Sequence, residues 1–218
     1  MRYALLLLLV FALPSPAAAQ GGRPHVGAVR DAVGLWGGAS FSTPGLWGAV
    51  QGRALFIVGV QYRHPLSRSP SASLAYTFDL IPAAAVTKTP TRVSTACCSY
   101  VPLSGRRGAR EIEQVEPATA YGFGVAPLGL QLVLFQQRPV QFALGIAGGL
   151  LLFDRDVPML DTRRMNFTAE LGAGVRIPIR DHWEATLGYK FHHISNAGTG
   201  TFNPGLDVNM FYLSWMYR

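Results

Sequence analysis

Hydrophobic and polar positions alternate along most of this chain with a period of two. Across 166–179 the odd positions are Phe167, Ala169, Leu171, Ala173, Val175, Ile177 and Ile179, while the even ones are Asn166, Thr168, Glu170, Gly172, Gly174, Arg176 and Pro178. One side of that segment is wholly apolar and the other is polar or glycine, the signature of a two-faced antiparallel strand. The same split recurs across 54–63 and 73–80. Counting such runs predicts eight strands, at 33–41, 53–64, 72–86, 119–127 running into 128–135, 139–153, 165–179, 182–195 and 207–217.

A soluble sandwich would pack those apolar faces together, whereas a membrane barrel turns them outward to lipid. Two features favour the barrel. Asp79, Glu170, Arg176, Glu184 and Lys190 all fall on the non-lipid face beside many glycines, as a narrow lumen of paired charges requires. The strands are also long, about 10–15 residues, which suits a tilted bilayer crossing. Trp36, Trp47, Trp183, Trp215 and Tyr217 lie near strand ends and read as interfacial girdles. The expected fold is an all-β, eight-stranded antiparallel transmembrane barrel of the bacterial outer membrane, in one domain. Its connections alternate between short turns, such as 136–139 and 180–181, and longer loops, notably a polar loop at 87–118 carrying Arg106, Arg107 and Arg110.

Composition sharpens this picture. Of 218 residues 49% are hydrophobic and only 14% charged, yet no run of about 18 apolar residues exists to form a membrane helix. Arg2, an apolar stretch at 4–13 and Ala17-Ala18-Ala19 form a secretory signal, so residues 1–19 are expected to be removed and 20–218 to form the mature protein. Residues 20–32 read as a loose arm. The net charge of +7 suits an anionic membrane surface, and an exported chain does not call for a nucleic-acid partner. The adjacent Cys97 and Cys98 leave three readings open: a vicinal disulfide, pairing with another chain, or free thiols.

Candidate chemistry gathers at one hairpin end. The lipid-facing row of the seventh strand runs Trp183, Ala185, Leu187, Tyr189, Phe191, His193, Ser195, and that of the eighth, followed backward, runs Tyr217, Trp215, Leu213, Phe211, Asn209, Asp207. His193, Ser195 and Asp207 therefore share a face at the same end. Unpartnered polar groups at the hydrocarbon boundary cost about 1–3 kcal/mol each, so mutual bonding or a ligand is implied. Ser, His and a carboxylate are the parts of an activated nucleophile. Residues i and i+2 of a strand are separated by about 6.5–7 Å, near enough for an imidazole to reach a hydroxyl. The competing reading makes His193 and Ser195 ordinary headgroup-zone residues. His192 points the opposite way, into the lumen, which excludes a joint His192–His193 metal site.

Several motifs carry a family resemblance: GFGVAPLGL at 122–130, Asn166-Phe167-Thr168, LGAGV at 171–175, residues 188–190, HISNAG at 193–198 and NPG at 203–205. In colinear order they resemble the lipid A 3-O-deacylase (PagL-type) family of outer-membrane acyl hydrolases, eight-stranded barrels with a Ser-His-Glu triad on the outer surface. The resemblance implies that Ser195 is the nucleophile, His193 the base and Asn196 a residue assisting the oxyanion. The family's acid lands on Asp207, one methylene shorter than the usual Glu, which puts its reach to His193 in question. The implied protein is a serine esterase that removes an acyl chain, at the 3-O position, from lipid A of lipopolysaccharide in the outer leaflet. It needs no cofactor and no metal; its partners are lipid A and outer-membrane lipids, and a homodimer is compatible with the reading. An outer-membrane phospholipase, which needs more strands, and a non-enzymatic small barrel are the alternatives.

Overall fold

The computed structural model describes residues 30–100, 108–180 and 182–218. The proposed signal at 1–19, the arm up to residue 29, Arg106, Arg107, Asp181 and the side chains of Cys97, Cys98 and Arg110 lie outside the described residues. Eight strands follow in order: β1 (Ala32–Ser42), β2 (Leu55–Arg68), β3 (Ala72–Tyr100), β4 (Gly108–Leu134), β5 (Gln141–Val157), β6 (Arg163–Arg180), β7 (Trp183–Ser195) and β8 (Leu206–Tyr217). Each pairs antiparallel with the next, and β8 pairs with β1 to close the barrel.

The wall is inverted relative to a soluble protein. Leu35, Leu128, Ile146, Leu171, Leu187 and Leu213 are exposed outside, while charges are buried inside. An apolar belt of that extent is stable only against hydrocarbon, because in water each such side chain forfeits about 1.5–3 kcal/mol of burial. The two strand faces thus face two solvents, which is why the alternation is legible in the sequence.

The lumen charges gather in two clusters, one with two carboxylates around an ammonium and the other with three guanidinium groups around a carboxylate. In one, Asp79 accepts hydrogen bonds from the Trp36 indole N–H (2.6 Å) and the Gln61 amide (3.1 Å). Beside it the Lys190 ammonium donates to Glu170 (2.7 Å) and lies 3.6 Å from the Trp36 ring centroid. In the other, Glu184 meets Arg63 (2.5 Å), Arg218 (3.4 Å) and Arg176 (3.5 Å). Burying an unpaired ion costs several kcal/mol, so pairing is what allows charge in so narrow an interior.

Three expectations are corrected. Trp36 is no girdle residue: its side chain is buried in the lumen against Asp79, whereas Trp183, Trp215 and Tyr217 are exposed and form an aromatic cluster at the end that carries the termini. The polar stretch at 87–118 is no simple loop, because β3 and β4 continue through it as a paired hairpin, from Thr89 against Ala118 to Tyr100 against Gly108. A hairpin standing in water needs no apolar face, so the alternation rule misses it, although its Thr and Val content favours strands. Finally, the end of the expected arm is held in place: Ala32 opens β1, and Asp31 accepts hydrogen bonds from Tyr62 (2.9 Å) and His64 (2.8 Å).

The runs expected at 119–127 and 128–135 are one strand, ending at Leu134, with a register shift between Val125 and Leu128. Pro127, which has no N–H to give to the ladder, sits at that bulge. The connections at 69–71 and 135–140 are short and share the end of the barrel with the termini; those at 43–54 and 196–205 cross the opposite end, above His193 and Ser195.

Candidate active site

Register brings the predicted site residues together. In the β7–β8 ladder His193 stands directly opposite Asp207, and Phe191 opposite Asn209. The outward row of each strand delivers the two side chains to the same face, where the His193 Nδ1–H donates to Asp207 Oδ1 at 2.6 Å. A carboxylate only accepts, so this bond places the proton on Nδ1 and leaves the Nε2 lone pair as the basic position. The short acid reaches the ring directly, without a bridging water.

Asp207 is fully buried although it belongs to the outward row. Its cover comes from the β1–β2 connection: the Trp47 N–H and Gly48 N–H donate to Oδ2 at 2.5 and 2.8 Å. The Trp47 indole then lies edge-on to His193, with ring centroids 5.7 Å apart, and to Phe191 at 5.2 Å. Neither Trp47 nor Gly48 was marked as a site residue by the sequence. Their link to Asp207 runs through backbone N–H groups, which no side-chain pattern reports, and it joins segments about 160 positions apart.

Ser195 ends β7, half-buried, on the same face and two residues beyond His193. Among the described residues its hydroxyl has no hydrogen-bond partner, so the expected Ser195–His193 bond is not formed in this structure. Nucleophile–base bonds are commonly long before substrate arrives and tighten in the reacting complex. Gly205, with φ of 62°, lets the chain turn back beside the ring; a Cβ there would lie 3.0 Å from His193 Cε1.

Asn196 organises the loop that follows. Its backbone N–H donates to Asn203 Oδ1 (3.1 Å), its Nδ2 to the Phe202 carbonyl (2.6 Å), and its Oδ1 accepts from the Gly198 N–H (3.0 Å). Ala197 and Gly198 both have positive φ, and the Thr199 N–H closes onto the Asn196 carbonyl at 3.0 Å, as in a type I′ turn. One Nδ2 hydrogen is committed to the Phe202 carbonyl, and the Asn196 side chain is buried within the loop.

His192 lies behind the wall. It is fully buried in the lumen, with Nδ1 3.4 Å from Glu170 Oε1, as the alternation requires. Below the site on the outer face, the Tyr189 hydroxyl donates to Asn209 Oδ1 (2.6 Å) and Asn209 Nδ2 to Ser42 Oγ (2.9 Å). The arrangement presents an oriented base next to a free hydroxyl at the edge of an apolar wall, the equipment for attacking an ester held in a bilayer.

The structure titled "Crystal structure of the outer membrane enzyme PagL" is similar over 85% of this chain and 98% of that one, at 14% identity and a TM-score of 0.52; the likeness is one of fold. Neisserial surface protein A (NspA) aligns over 86% of this chain and 94% of its own, at 12% identity and a TM-score of 0.46. No curated protein matches. The lipid A 3-O-deacylase (PagL) family, however, matches residues 58–216, which is well over half of the sequence and includes β7 and nearly all of β8. The chain belongs to the lipid A 3-O-deacylase (PagL) family.

Proposed function

We propose that this protein is a bacterial outer-membrane esterase that removes the 3-O-linked acyl chain of lipid A with a Ser195–His193–Asp207 triad. The observation that carries this reading is the 2.6 Å bond between His193 and Asp207 on the lipid-facing side of the barrel, one pleat from Ser195.

The chemistry follows from the geometry. Ser195 Oγ attacks the ester carbonyl while His193 Nε2 takes its proton, and Asp207 steadies the imidazolium that forms. The tetrahedral oxyanion meets the remaining Asn196 Nδ2–H and backbone N–H groups of the loop. Collapse returns the proton from Nε2 to the departing sugar oxygen and leaves an acyl-serine. Water, activated by the same nitrogen, then releases the fatty acid and restores Ser195.

Placement supports the substrate class. The site is at the barrel end opposite both termini; with periplasmic termini, normal for an even-stranded barrel, it falls in the outer leaflet, where lipopolysaccharide resides. Across the wall at the level of His193 the outward residues are small, Ala169 and then Gly148, between the larger pairs Phe167–Leu150 and Leu171–Ile146. That trough offers an acyl chain apolar contact along its length.

The test is mass spectrometry of lipid A from cells expressing the native protein or Ser195→Ala. Native protein should yield a species lighter by one acyl group, with the free fatty acid released, and Ser195→Ala should not. Identical lipid A in both would overturn the reading.

A further inference from the structure

We propose that Trp47 and Gly48 are positioning residues of this site, forming a strap that fixes the triad acid and encloses the base. The proposal rests on the triad reading above.

The strap exists because β1 stops short. Its pairing with β8 ends at Ser42 against Asn209, leaving the start of β8 with an open edge next to Asp207. After the 43–48 turn the chain comes back along that edge in the parallel direction. The Ala49 N–H donates to the Pro204 carbonyl (2.6 Å), the Val50 N–H to the Gly205 carbonyl (3.2 Å), and Val50 bridges Leu206. This pairing presents the two preceding N–H groups to Asp207 Oδ2.

A carboxylate held only through one oxygen swings about its terminal torsion, which is broad and soft. With Oδ2 engaged twice, Oδ1 becomes the single acceptor facing His193, and the ring cannot drift without breaking a short charge-assisted bond. Gly48 is required by close approach: a Cβ there would lie 2.7 Å from Gly205 C and Leu206 N and 2.9 Å from the Asp207 N. These are backbone atoms of a paired strand, so any larger residue must lift the strap. Trp47 supplies the second half of the device. Its indole edge packs on both Phe191 and His193, which is why Phe191 is only 7% exposed in a row whose other large members face lipid.

The experiment is a double-mutant cycle on purified, detergent-dispersed barrel, with heat-modifiable migration as the folding check and lipid A turnover as the readout. Gly48→Ala should lower kcat on the order of 10- to 100-fold with KM changed less than about 3-fold, since the strap acts on the base and not on the lipid. In an Asp207→Ala background the same substitution should cost less than about 2-fold, because the group it acts through is gone. Near-native turnover of Gly48→Ala, or independent, multiplicative losses in the double variant, would overturn the proposal. Trp47→Ala and Trp47→Phe give a second route if Gly48→Ala does not fold: Ala should lower kcat and Phe restore most of it, and equal turnover of Trp47→Ala and the native protein would count against the strap. Ser195→Ala run alongside separates the two levels. Activity in that variant removes the triad reading itself, whereas an inactive Ser195→Ala beside a fully active Gly48→Ala removes only the strap.

Discussion

His193 and Asp207 face one another across the β7–β8 ladder, and their side chains meet at 2.6 Å on the outer wall of the barrel. The contact decides how the shorter acid behaves. Asp207→Ala should lower turnover by about 10- to 10⁴-fold with substrate binding little changed, on the scale of triad acids elsewhere. Asp207→Asn should also be impaired, since an amide can present its N–H₂ to Nδ1 and favour the wrong tautomer. Asp207→Glu adds a methylene where no space is exposed, so it should be slower than the native enzyme and not faster. Turnover on dispersed lipid A checks all three; near-native rates for Ala and Asn together would show a Ser–His dyad.

Ser195→Ala should abolish ester hydrolysis, by about 10⁴-fold or more, while leaving a heat-modifiable barrel. Ser195 is the last residue of β7, half-buried, and its hydroxyl makes no hydrogen bond among the described residues. Full activity in this variant would remove it from the mechanism.

The adjacent histidines should separate sharply. His193→Ala should be as damaging as Ser195→Ala, because in the proposed triad its Nε2 takes the Ser195 proton. His192→Ala should keep turnover within about 3-fold and instead lower stability by about 0.5–3 kcal/mol, since it lies buried in the lumen against Glu170. Activity assays paired with urea titration read both effects. An essential His192 and a dispensable His193 would mean that the register of β7 is off by one.

The parts of this molecule that the sequence reveals are those where one residue's identity reports its surroundings. Alternation placed Glu184, Lys190 and His192 inside and Leu187, His193 and Ser195 outside, because lipid and lumen select opposite side chains at each step. The same rule carried Asp207 to the outer face, and the ladder then set it opposite His193. Trp36 was misplaced because β1 has glycine at 34, 37 and 38 on both faces, which blurs the period. The strap was illegible for a different reason: Asp207 is held by backbone donors that almost any residue at 47 would provide, and Gly48 looks like any loop glycine until Gly205 is seen against it.

The charge cluster at the far end of the lumen gives a control that separates stability from catalysis. Glu184 is fully buried and faces three guanidinium groups, those of Arg63, Arg176 and Arg218, with Arg176 also donating to Gln141 at 2.8 Å. Glu184→Gln preserves volume but removes the negative charge, leaving three cations to repel one another where water is scarce. Breaking a buried pair from one side costs about 3–5 kcal/mol, so the urea midpoint for loss of heat-modifiable barrel should fall clearly. Glu184 pairs in register with Pro178 and Met216, eleven positions along β7 from Ser195, so turnover of the folded fraction should stay within about 2-fold of native. Combining Glu184→Gln with Arg176→Met removes one of the stranded cations and should recover part of the lost stability, a non-additivity expected of groups in contact. An unchanged midpoint for Glu184→Gln would mean that lumen water, and not ion pairing, carries these charges.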